Sequence, residues 1–324
     1  MSFFLKGVIL MKYIDTKEAF THGGNFHADD VFSAALLKIL NPDIKIIRGF
    51  QKPENFDGIT FDIGGGIYDH HKKKETRENG VPYASFGKLW RTFGSCIVNE
   101  KQQKDIDVRI VQPIDAADNH EGLNPLTIFI NGFNPDWDSD DDVDTCFERA
   151  VTVAETLLRR QIALCQARER ATARVKEIYE SAEDKEIIVF DRYIPFADVL
   201  IKKKMPKFVI LPSPRGGYNI QTIQKDFNDK TPKCALPESW YGKSGEELQN
   251  ISGYSSAQFC HPNGFLMLCN DLTDAKEICK KLLGRETQPQ KIDKTVYENE
   301  TLKSSKEKTQ EEKDAEWANF LNSL

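Results

Sequence analysis

The first half of the chain alternates helix and strand patterns, and this alternation is the strongest constraint on its fold. A helical apolar pattern in "VFSAALLKIL" (31–40) ends at Asn41-Pro42, a pair that stops a helix. Period-two alternation in "IKIIRGF" (44–50) predicts a strand, and the apolar run in "GITFDIGGG" (58–66) predicts a second strand that ends in a glycine turn. Such alternation indicates an α/β layer with a mostly parallel sheet.

The remaining patterns divide the chain further. "YASFGKLWRTFG" (83–94) and "DIDVRIVQPIDAADNHEG" (105–122) have helical spacing, with Pro113 as a kink or a new start inside the second. A long Arg/Glu-rich stretch without glycine or proline then predicts a linking helix, and the short strand patterns after it indicate a smaller α+β domain. We predict a first domain, a linking helix, a second domain and a disordered tail with a short terminal helix in "AEWANFLNSL", at residues 12–140, 141–182, 183–284 and 285–324.

Composition excludes several classes of protein. Apolar residues make up 40% of the 324 residues, enough for packed cores, and no apolar run is long enough to cross a membrane. The seven cysteines form no C-x-x-C pair, which disfavours a disulfide framework or a thiolate zinc site and favours a reducing, intracellular compartment. Because the net charge is −6, binding a polyanion requires a local basic surface or bound cations.

Histidine and aspartate concentrate at the ends of the predicted elements in the first half of the chain. His22, His27 and Asp29 precede a predicted helix, and Asp62 follows a predicted strand at the edge where open α/β sheets place ligands. Asp115 and Asp118 are spaced by one helical turn. The candidate ligands are His22, His27 and Asp29 in "THGGNFHADD", Asp62 in "TFDIGGG", Asp69, His70 and His71 in "YDHH", and Asp115 and Asp118 in "IDAADN".

A mixed set of imidazoles and carboxylates suits Mn²⁺, with Zn²⁺, Fe²⁺ or Co²⁺ as alternatives. A carboxylate can bridge two such ions, the arrangement that enzymes use for phosphoryl hydrolysis. The ions would also offset the acidic cluster and attract a phosphate. Each aspartate taken alone is more simply a helix cap or a surface charge, so the agreement of four segments is what favours a metal site.

These motifs, in this order, resemble those of the DHH phosphoesterase superfamily, and more narrowly those of the Myg-one exonuclease family. They are H-x4-H-x-D, D-I-G-G, Y-D-H-H and I-D-A-x-D-N, and "LPESWYGKSGEEL" (236–248) and "FCHPNGF" (259–265) are similar to two later signatures of the family. The resemblance implies a DHH-type N-terminal domain and a C-terminal domain that binds substrate across a cleft. It also implies metal-dependent hydrolysis of a phosphodiester, in this family by 3′-to-5′ exonucleolytic cleavage of RNA.

Carried over by position, the resemblance divides the candidate residues by role. Asp62 would bridge two Mn²⁺ ions that activate a water. Asp69 would orient the metal ligands without binding the metal itself. Asp118 would do the same, unless it replaces Asp115 as the ligand of the fourth motif. The implied catalytic residues are Asp62, His70 and His71. The implied metal ligands are His22, His27, Asp29, Asp62, His70 and Asp115.

We expect substrate contacts in both halves of the chain, from His71, Arg215, Lys243 and His261. Lys243 stands where the family has arginines, Leu266 to Leu268 replace two glycines, and His120 stands where the family has glycine. These departures leave three functions open: an RNA exonuclease, a hydrolase of a small phosphoanhydride or dinucleotide, and a metal-stabilised RNA-binding protein without catalysis. The resemblance adds nucleus and mitochondrion to the cytoplasm as expected compartments, and the sequence leaves the oligomeric state open.

Overall fold

A computed structural model describes residues 14–71 and 74–285, and every structural statement below refers to these residues. The described residues divide into two compact units, with the boundary between Arg174 and Val175. The start of the chain, the predicted tail after residue 285 and its terminal helix lie outside the described residues. The domain boundaries predicted from the sequence stay predictions.

The first unit is built on a three-stranded, fully parallel sheet. Its strands are β1 (Glu18–His22), β2 (Lys45–Gly49) and β3 (Ile59–Thr60), in the order β2-β1-β3. β1 pairs with β2 along its whole length, and it pairs with β3 at Ala19 and Phe20. Because the strands are parallel, their C-terminal ends meet at one edge, and the candidate ligands His22 and Asp62 lie there. The predicted α/β class with a mostly parallel sheet is confirmed for this unit.

The described part of the first unit contains five α-helices before the long helix, and the first of them is a core element. Every residue of that helix except Lys38 is buried, and Phe32 within it packs against Phe86 with ring centroids 5.4 Å apart. A helix that is apolar on nearly all sides belongs in the interior of a domain. The helices are α1 (Ala28–Leu40), α2 (Ser85–Phe93), α3 (Glu100–Ile106), α4 (Gln112–Asp118) and α5 (Pro125–Asn131).

Pro113 changes the helix geometry between α3 and α4. A turn of π-helix, Asp107–Val111, joins the two helices, and the amide of Gln112 donates to the carbonyl of Asp107. Proline lacks an amide hydrogen and its ring collides with a carbonyl one turn back, so a wider turn accommodates it. The stretch predicted to be helical from its spacing is therefore three consecutive helical segments.

The long helix α6 spans Val143–Ser181, and the division between the two units falls inside it. The second unit contains a mixed five-stranded sheet with the order β4-β5-β6-β8-β7, in which only β4 and β5 are parallel. Of these elements, β7 and the two helices α7 and α8 were not predicted. The elements are β4 (Ile187–Val189), β5 (Phe208–Pro212), β6 (Tyr218–Thr222), β7 (Ala257–Cys260), β8 (Leu266–Cys269), α7 (Ala197–Leu200), α8 (Gly245–Ser252) and α9 (Leu272–Leu282).

None of the helices in the described part of the chain combines the length and the hydropathy needed to span a bilayer. The two units have separate cores. The first is centred on α1, with Phe86 and Trp90 packed beside it, and the second lies around Phe208 and Met267 on its own sheet.

Gly58, which directly precedes β3, provides a test of this packing. A Cβ atom at Gly58 would collide with the carbonyl of Glu18 and with the ring of Phe56. We expect Gly58→Ala to lower the free energy of unfolding by about 1–3 kcal/mol, because the Phe56 ring and the backbone of β1 must shift to admit the methyl group. Gly66→Ala is the matched control, since nothing lies within 4 Å of its added Cβ. Equal stabilities of the two variants in urea denaturation would contradict this packing.

Candidate metal centre

Asp62 lies at the centre of the candidate site. It follows β3 in a left-handed backbone conformation, with φ at 56°, which residues other than glycine rarely adopt. Its amide donates to the carbonyl of Tyr68 at 3.2 Å, so the glycine-containing turn 63–67 returns the chain to the same place. Backbone strain at a buried charged residue is typical of a functional site.

Imidazoles approach Asp62 from two sides. His22 Nε2 lies 3.3 Å from Oδ2, and His70 Nδ1 lies 3.2 Å from Oδ1. Burial opposes ionisation, but these two contacts hold the pKa of Asp62 well below its usual value. Burial also disfavours the protonated forms of the two imidazoles. Contacts with Asp30 and Asp62 nevertheless raise the pKa of His22 to about 10. Contacts with Asp118 and Asp62 raise the pKa of His70 to about 10. A cation bound here would replace these protons, because imidazole binds a metal only when neutral.

Asp30 belongs to the site, although the sequence analysis did not assign it. Its Oδ2 atom lies 2.9 Å from His22 Nε2, and its Oδ1 accepts a hydrogen bond from the amide of His27 at 3.0 Å. The residue is fully buried in the first turn of α1. Its spacing from His27 was visible in the sequence, but that spacing indicates a helix cap as readily as a ligand.

His27, Asp29 and Asp118 bring a further set of ligand atoms together at the start of α1. The hydroxyl of Ser85 donates to Asp29 Oδ2 at 2.7 Å, whereas Asp29 Oδ1 is buried without a partner among the described residues. Burial, together with the negative charges of Asp62 and Asp118, raises the pKa of Asp29 well above its usual value. A divalent cation would relieve both the unpaired oxygen and this repulsion.

The ligand atoms therefore form three groups, in each of which all atoms lie within 4.8 Å of one another. Asp62 is shared by two of the groups. The chemistry of these donors, imidazole nitrogen and carboxylate oxygen, fits a divalent transition-metal ion such as Mn²⁺. The groups are Asp62 with His70 and His71, His22 with Asp30 and Asp62, and His27 with Asp29 and Asp118.

Asp115, predicted as a metal ligand, belongs to none of these groups among the residues that the structure describes. One of its oxygens accepts from Arg77 at 2.7 Å, and the other accepts from the amide of Gly87 at 3.0 Å. Burial raises the pKa of Asp115 to about 7, while Arg77 works against this rise. Of the two aspartates left open by the sequence, Asp118 is the one near the histidines, with Oδ2 lying 3.0 Å from His70 Nε2.

Arg77 connects the segment after the histidine pair to the helices that follow. Besides Asp115, it donates to both oxygens of Asp107 at 3.1 and 2.9 Å and to the carbonyl of Pro82 at 2.9 Å. Its guanidinium carbon lies 3.9 Å from the centre of the Tyr83 ring. This contact set holds α4, which carries Asp118, and nothing in the sequence pattern around Arg77 predicted it.

Asp69 contacts both the backbone and the ring of His71, and its predicted role in orienting the metal ligands stays a prediction. Its Oδ1 accepts from the amide of His71 at 3.0 Å and lies 2.8 Å from the Nδ1 atom, and its Oδ2 accepts from the amide of Gly65 at 2.6 Å. Burial opposes ionisation, but these hydrogen bonds lower the pKa of Asp69. The ring of His71 stacks on His70 with centroids 4.4 Å apart, and its side chain is 59% exposed.

A cavity of about 1080 Å³ opens on the site. This volume lies at the upper end of small-molecule sites, so the cavity can hold more than a cation and a phosphate. Asn25, Lys74 and His120 add polar groups to its wall. The predicted residues that line the cavity are His22, His27, Asp62, Asp69, His70, His71 and Asp118.

The other predicted substrate contacts lie in the second unit. His261 follows β7, and its ring centroid lies 4.3 Å from that of Phe265. Lys243 forms an ion pair with Glu247 at the start of α8. Arg215 is exposed in the turn between β5 and β6. Their role at the substrate stays a prediction.

The first unit is thus an α/β domain with a candidate centre for divalent cations at the end of its parallel sheet. A family model for MYG1 exonuclease proteins, described as an uncharacterised protein family (UPF0160), matches residues 18–283, and the chain belongs to this family. The resemblance to the Myg-one family is therefore confirmed.

Several curated proteins are similar to this chain along most of their length. The MYG1 protein of Dictyostelium discoideum is 24% identical, with 76% of this chain and 90% of that protein covered. The MYG1 protein C694.04c of Schizosaccharomyces pombe is 26% identical, with 81% and 96% covered. The MYG1 exonuclease of Homo sapiens is 26% identical, with 76% and 80% covered.

The contacts of Arg77 predict a large loss of stability when it is replaced. We expect Arg77→Met to lower the free energy of unfolding by about 3–5 kcal/mol, because the substitution leaves the carboxylate of Asp115 buried without its ion-pair partner. Arg91→Met is the matched control: Arg91 also lies over Tyr83, but it is 47% exposed and pairs with the surface residue Glu75. The control should cost no more than about 1 kcal/mol. Similar losses in chemical denaturation would contradict the structural role of Arg77.

Because Asp62 belongs to two of the three groups of ligand atoms, replacing it should weaken metal binding. Mn²⁺ at about a hundred times its dissociation constant should raise the melting temperature of the protein by roughly 5–10 °C. Asp62→Asn should lose more than half of this rise, since asparagine tolerates the left-handed backbone but lacks the charge. Asp140→Asn, which changes an exposed aspartate, should keep the full rise. An undiminished rise in Asp62→Asn would exclude Asp62 as a ligand.

Proposed function

We propose that this chain is a metal-dependent phosphodiester hydrolase with a DHH-type catalytic domain, and that it degrades RNA as a 3′-to-5′ exonuclease. One observation carries the proposal: three groups of imidazoles and carboxylates, two of which share Asp62, lie at a cavity large enough for a nucleotide. Membership of the family supports it, because relatives from rat, human and mouse are named MYG1 exonuclease.

In this proposal the residues of the first unit hold two Mn²⁺ ions. Asp118 would take the ligand position that the sequence assigned to Asp115, Asp30 would join the set, and Asp62 would be a ligand of both ions. When bound, such a pair of cations lowers the pKa of water and offsets charge on a phosphoryl group. The proposed ligands are His22, His27, Asp29, Asp30, Asp62, His70 and Asp118.

His71 has a different task from the other histidines. Asp69 holds its Nδ1 side, so the ring is fixed and its Nε2 atom is left to contact a phosphoryl oxygen of the substrate. A hydrogen-bond donor placed in advance at that oxygen stabilises the charge that develops in the transition state. Lys74, which is paired with the exposed Glu121 at 2.7 Å, lies on the cavity wall where a second phosphate can compete for it.

In the proposal, the second unit carries further RNA contacts of its own. His261 and Lys243 are joined through the backbone, since the amide of Cys260 donates to the carbonyl of Lys243 at 2.9 Å. A lysine and a histidine that lie near each other along the fold can contact the phosphates that recur along an RNA strand. Arg215, exposed in its turn, completes the proposed set.

Cleavage of end-labelled RNA tests the function. With Mn²⁺, a 3′-to-5′ exonuclease should shorten a 5′-labelled oligonucleotide in a ladder and release the label of a 3′-labelled one at once as a mononucleotide. EDTA should abolish both results. Hydrolysis of pyrophosphate or a cyclic dinucleotide instead would support a small-substrate enzyme. Metal binding without any hydrolysis would support a binding protein.

The role of His71 predicts a separable defect. His71→Gln should lower kcat on RNA by about 10²–10³-fold, the usual effect of removing one donor to a developing oxyanion. The rise in melting temperature with Mn²⁺ should persist, because His71 is not a ligand in the proposal. Single-turnover kinetics and thermal unfolding measure the two properties. Loss of the Mn²⁺ effect in this variant would place His71 among the metal ligands.

A further inference from the structure

One stretch of the second unit, residues 199–237, is strongly basic in an acidic chain. It contains eight basic residues and two acidic ones, a net charge of +6, whereas the whole chain carries −6. No aspartate or glutamate occurs between Asp198 and Asp226. A local concentration of positive charge can bind a polyanion even when the net charge of the protein is unfavourable. The basic residues are Lys202, Lys203, Lys204, Lys207, Arg215, Lys225, Lys230 and Lys233.

The fold brings two segments of this stretch together. Residues 224–232 form a hairpin after β6, and its two ends pair in antiparallel fashion. Lys233 directly follows the hairpin, and its ammonium group donates to the carbonyls of Leu200 and Lys203 at 3.0 and 2.5 Å. This side chain therefore fixes the hairpin beside the turn 200–207 that precedes β5, and the lysines of both segments share one surface.

The lysines of this surface are available to a ligand. Four of them are exposed, and none of these four forms an ion pair within the part of the chain that the structure describes. The two aspartates of the hairpin, Asp226 and Asp229, instead accept from backbone amides two residues further on, at 3.0 and 2.9 Å. The exposed lysines without an ion pair are Lys202, Lys204, Lys225 and Lys230.

An exposed aromatic ring lies among these lysines. Phe227, in the middle of the hairpin, is 44% exposed, and the ammonium group of Lys202 lies 5.6 Å from the centre of its ring. Proteins that bind single-stranded nucleic acids combine such rings, on which bases stack, with cations that contact the phosphates. The surface also lies at the same end of the sheet as the turn 261–265, which begins at His261, because the amide of Thr222 donates to the carbonyl of Phe265 at 3.0 Å.

We propose that this lysine surface, defined by Lys202, Lys204, Lys225, Phe227 and Lys230, binds single-stranded RNA. Its lysines contact phosphates and Phe227 stacks on a base, so it holds a strand without reading its sequence. None of the predicted substrate contacts belongs to the surface, which adds a second place where the chain holds RNA. The choice of RNA rests on the proposed function, since an anionic membrane or an acidic protein would meet the same lysines.

Binding of a fluorescein-labelled oligouridylate to the whole chain, measured by fluorescence anisotropy in EDTA, tests the inference. EDTA prevents metal-dependent cleavage and leaves the acidic cavity of the first unit without cations, so that cavity repels phosphate. Replacing the four lysines should weaken binding at least about tenfold at low salt. The slope of log Kd against log salt should fall in magnitude by about 2–3, because each phosphate contact with a single strand contributes about 0.7. The changes are Lys202→Gln, Lys204→Gln, Lys225→Gln and Lys230→Gln.

A second fourfold variant is the matched control. It removes the same charge from exposed lysines of the first unit, and it should change the affinity by less than about threefold, because salt screens distant surface charges. The control changes are Lys17→Gln, Lys52→Gln, Lys101→Gln and Lys104→Gln.

The aromatic ring is tested separately from the charge. Phe227→Ala should weaken binding by about tenfold without changing the salt slope, because the substitution removes stacking and no charge. Phe227→Tyr keeps a ring on which a base can stack and should bind like the wild type. All of these positions are exposed, and thermal unfolding checks that each variant is folded.

The outcomes separate this inference from the proposed function. Equal losses in the two fourfold variants would overturn the inference, as would an unchanged affinity in Phe227→Ala. Binding of phosphatidylserine vesicles or polyglutamate without binding of the RNA would also overturn it. Cleavage of RNA with Mn²⁺ by a chain whose affinity is independent of these lysines would overturn the inference and leave the exonuclease in place. Binding that depends on the lysines and Phe227, in a chain that cleaves no RNA, would support the inference and contradict the exonuclease.

Discussion

The repulsion between buried carboxylates is the constraint on which the rest of the site depends. Asp29, Asp30 and Asp62 are almost wholly removed from solvent at one edge of the parallel sheet. Burying charges of one sign costs several kcal/mol unless opposite charge is brought to them. The N-terminus of α1 stabilises nearby negative charge weakly through the helix dipole. The imidazoles of His22 and His70 stabilise the carboxylates more strongly. Bound cations would satisfy the same demand, and the neighbouring imidazoles are groups that can lose a proton to admit them.

The fold meets this demand by fixing separate segments around one point. Parallel strands bring the loop after β1 and the turn after β3 to the same edge, and the left-handed backbone at Asp62 turns its carboxylate between two histidines. Two residues outside the site hold the pieces in place. Arg77 holds α4 through Asp115, and Asn134 holds the end of α5 to the loop before His27. Because the site is assembled from several segments, its geometry depends on these supporting contacts.

The sequence predicted the parts of this structure that follow from local pattern. The core helix α1, the strand β2 and the position of Asp62 after a strand follow from apolar periodicity and glycine. The choice between Asp115 and Asp118 depends on a contact with Arg77, 38 residues away along the chain from Asp115, and helical spacing alone cannot decide it. Asp30 was missed because a capping aspartate and a ligand have the same local signature.

The central claim is that cations bind where these groups converge, and anomalous diffraction from crystals grown with Mn²⁺ tests it most directly. The account predicts two anomalous peaks about 3.5–4 Å apart, the usual separation in two-metal sites, with the carboxylate of Asp62 between them. It also predicts His22 beside one peak and Asp118 rather than Asp115 within coordinating reach. Peaks confined to the protein surface, or a carboxylate of Asp62 that contacts only the two histidines in fully loaded crystals, would contradict it.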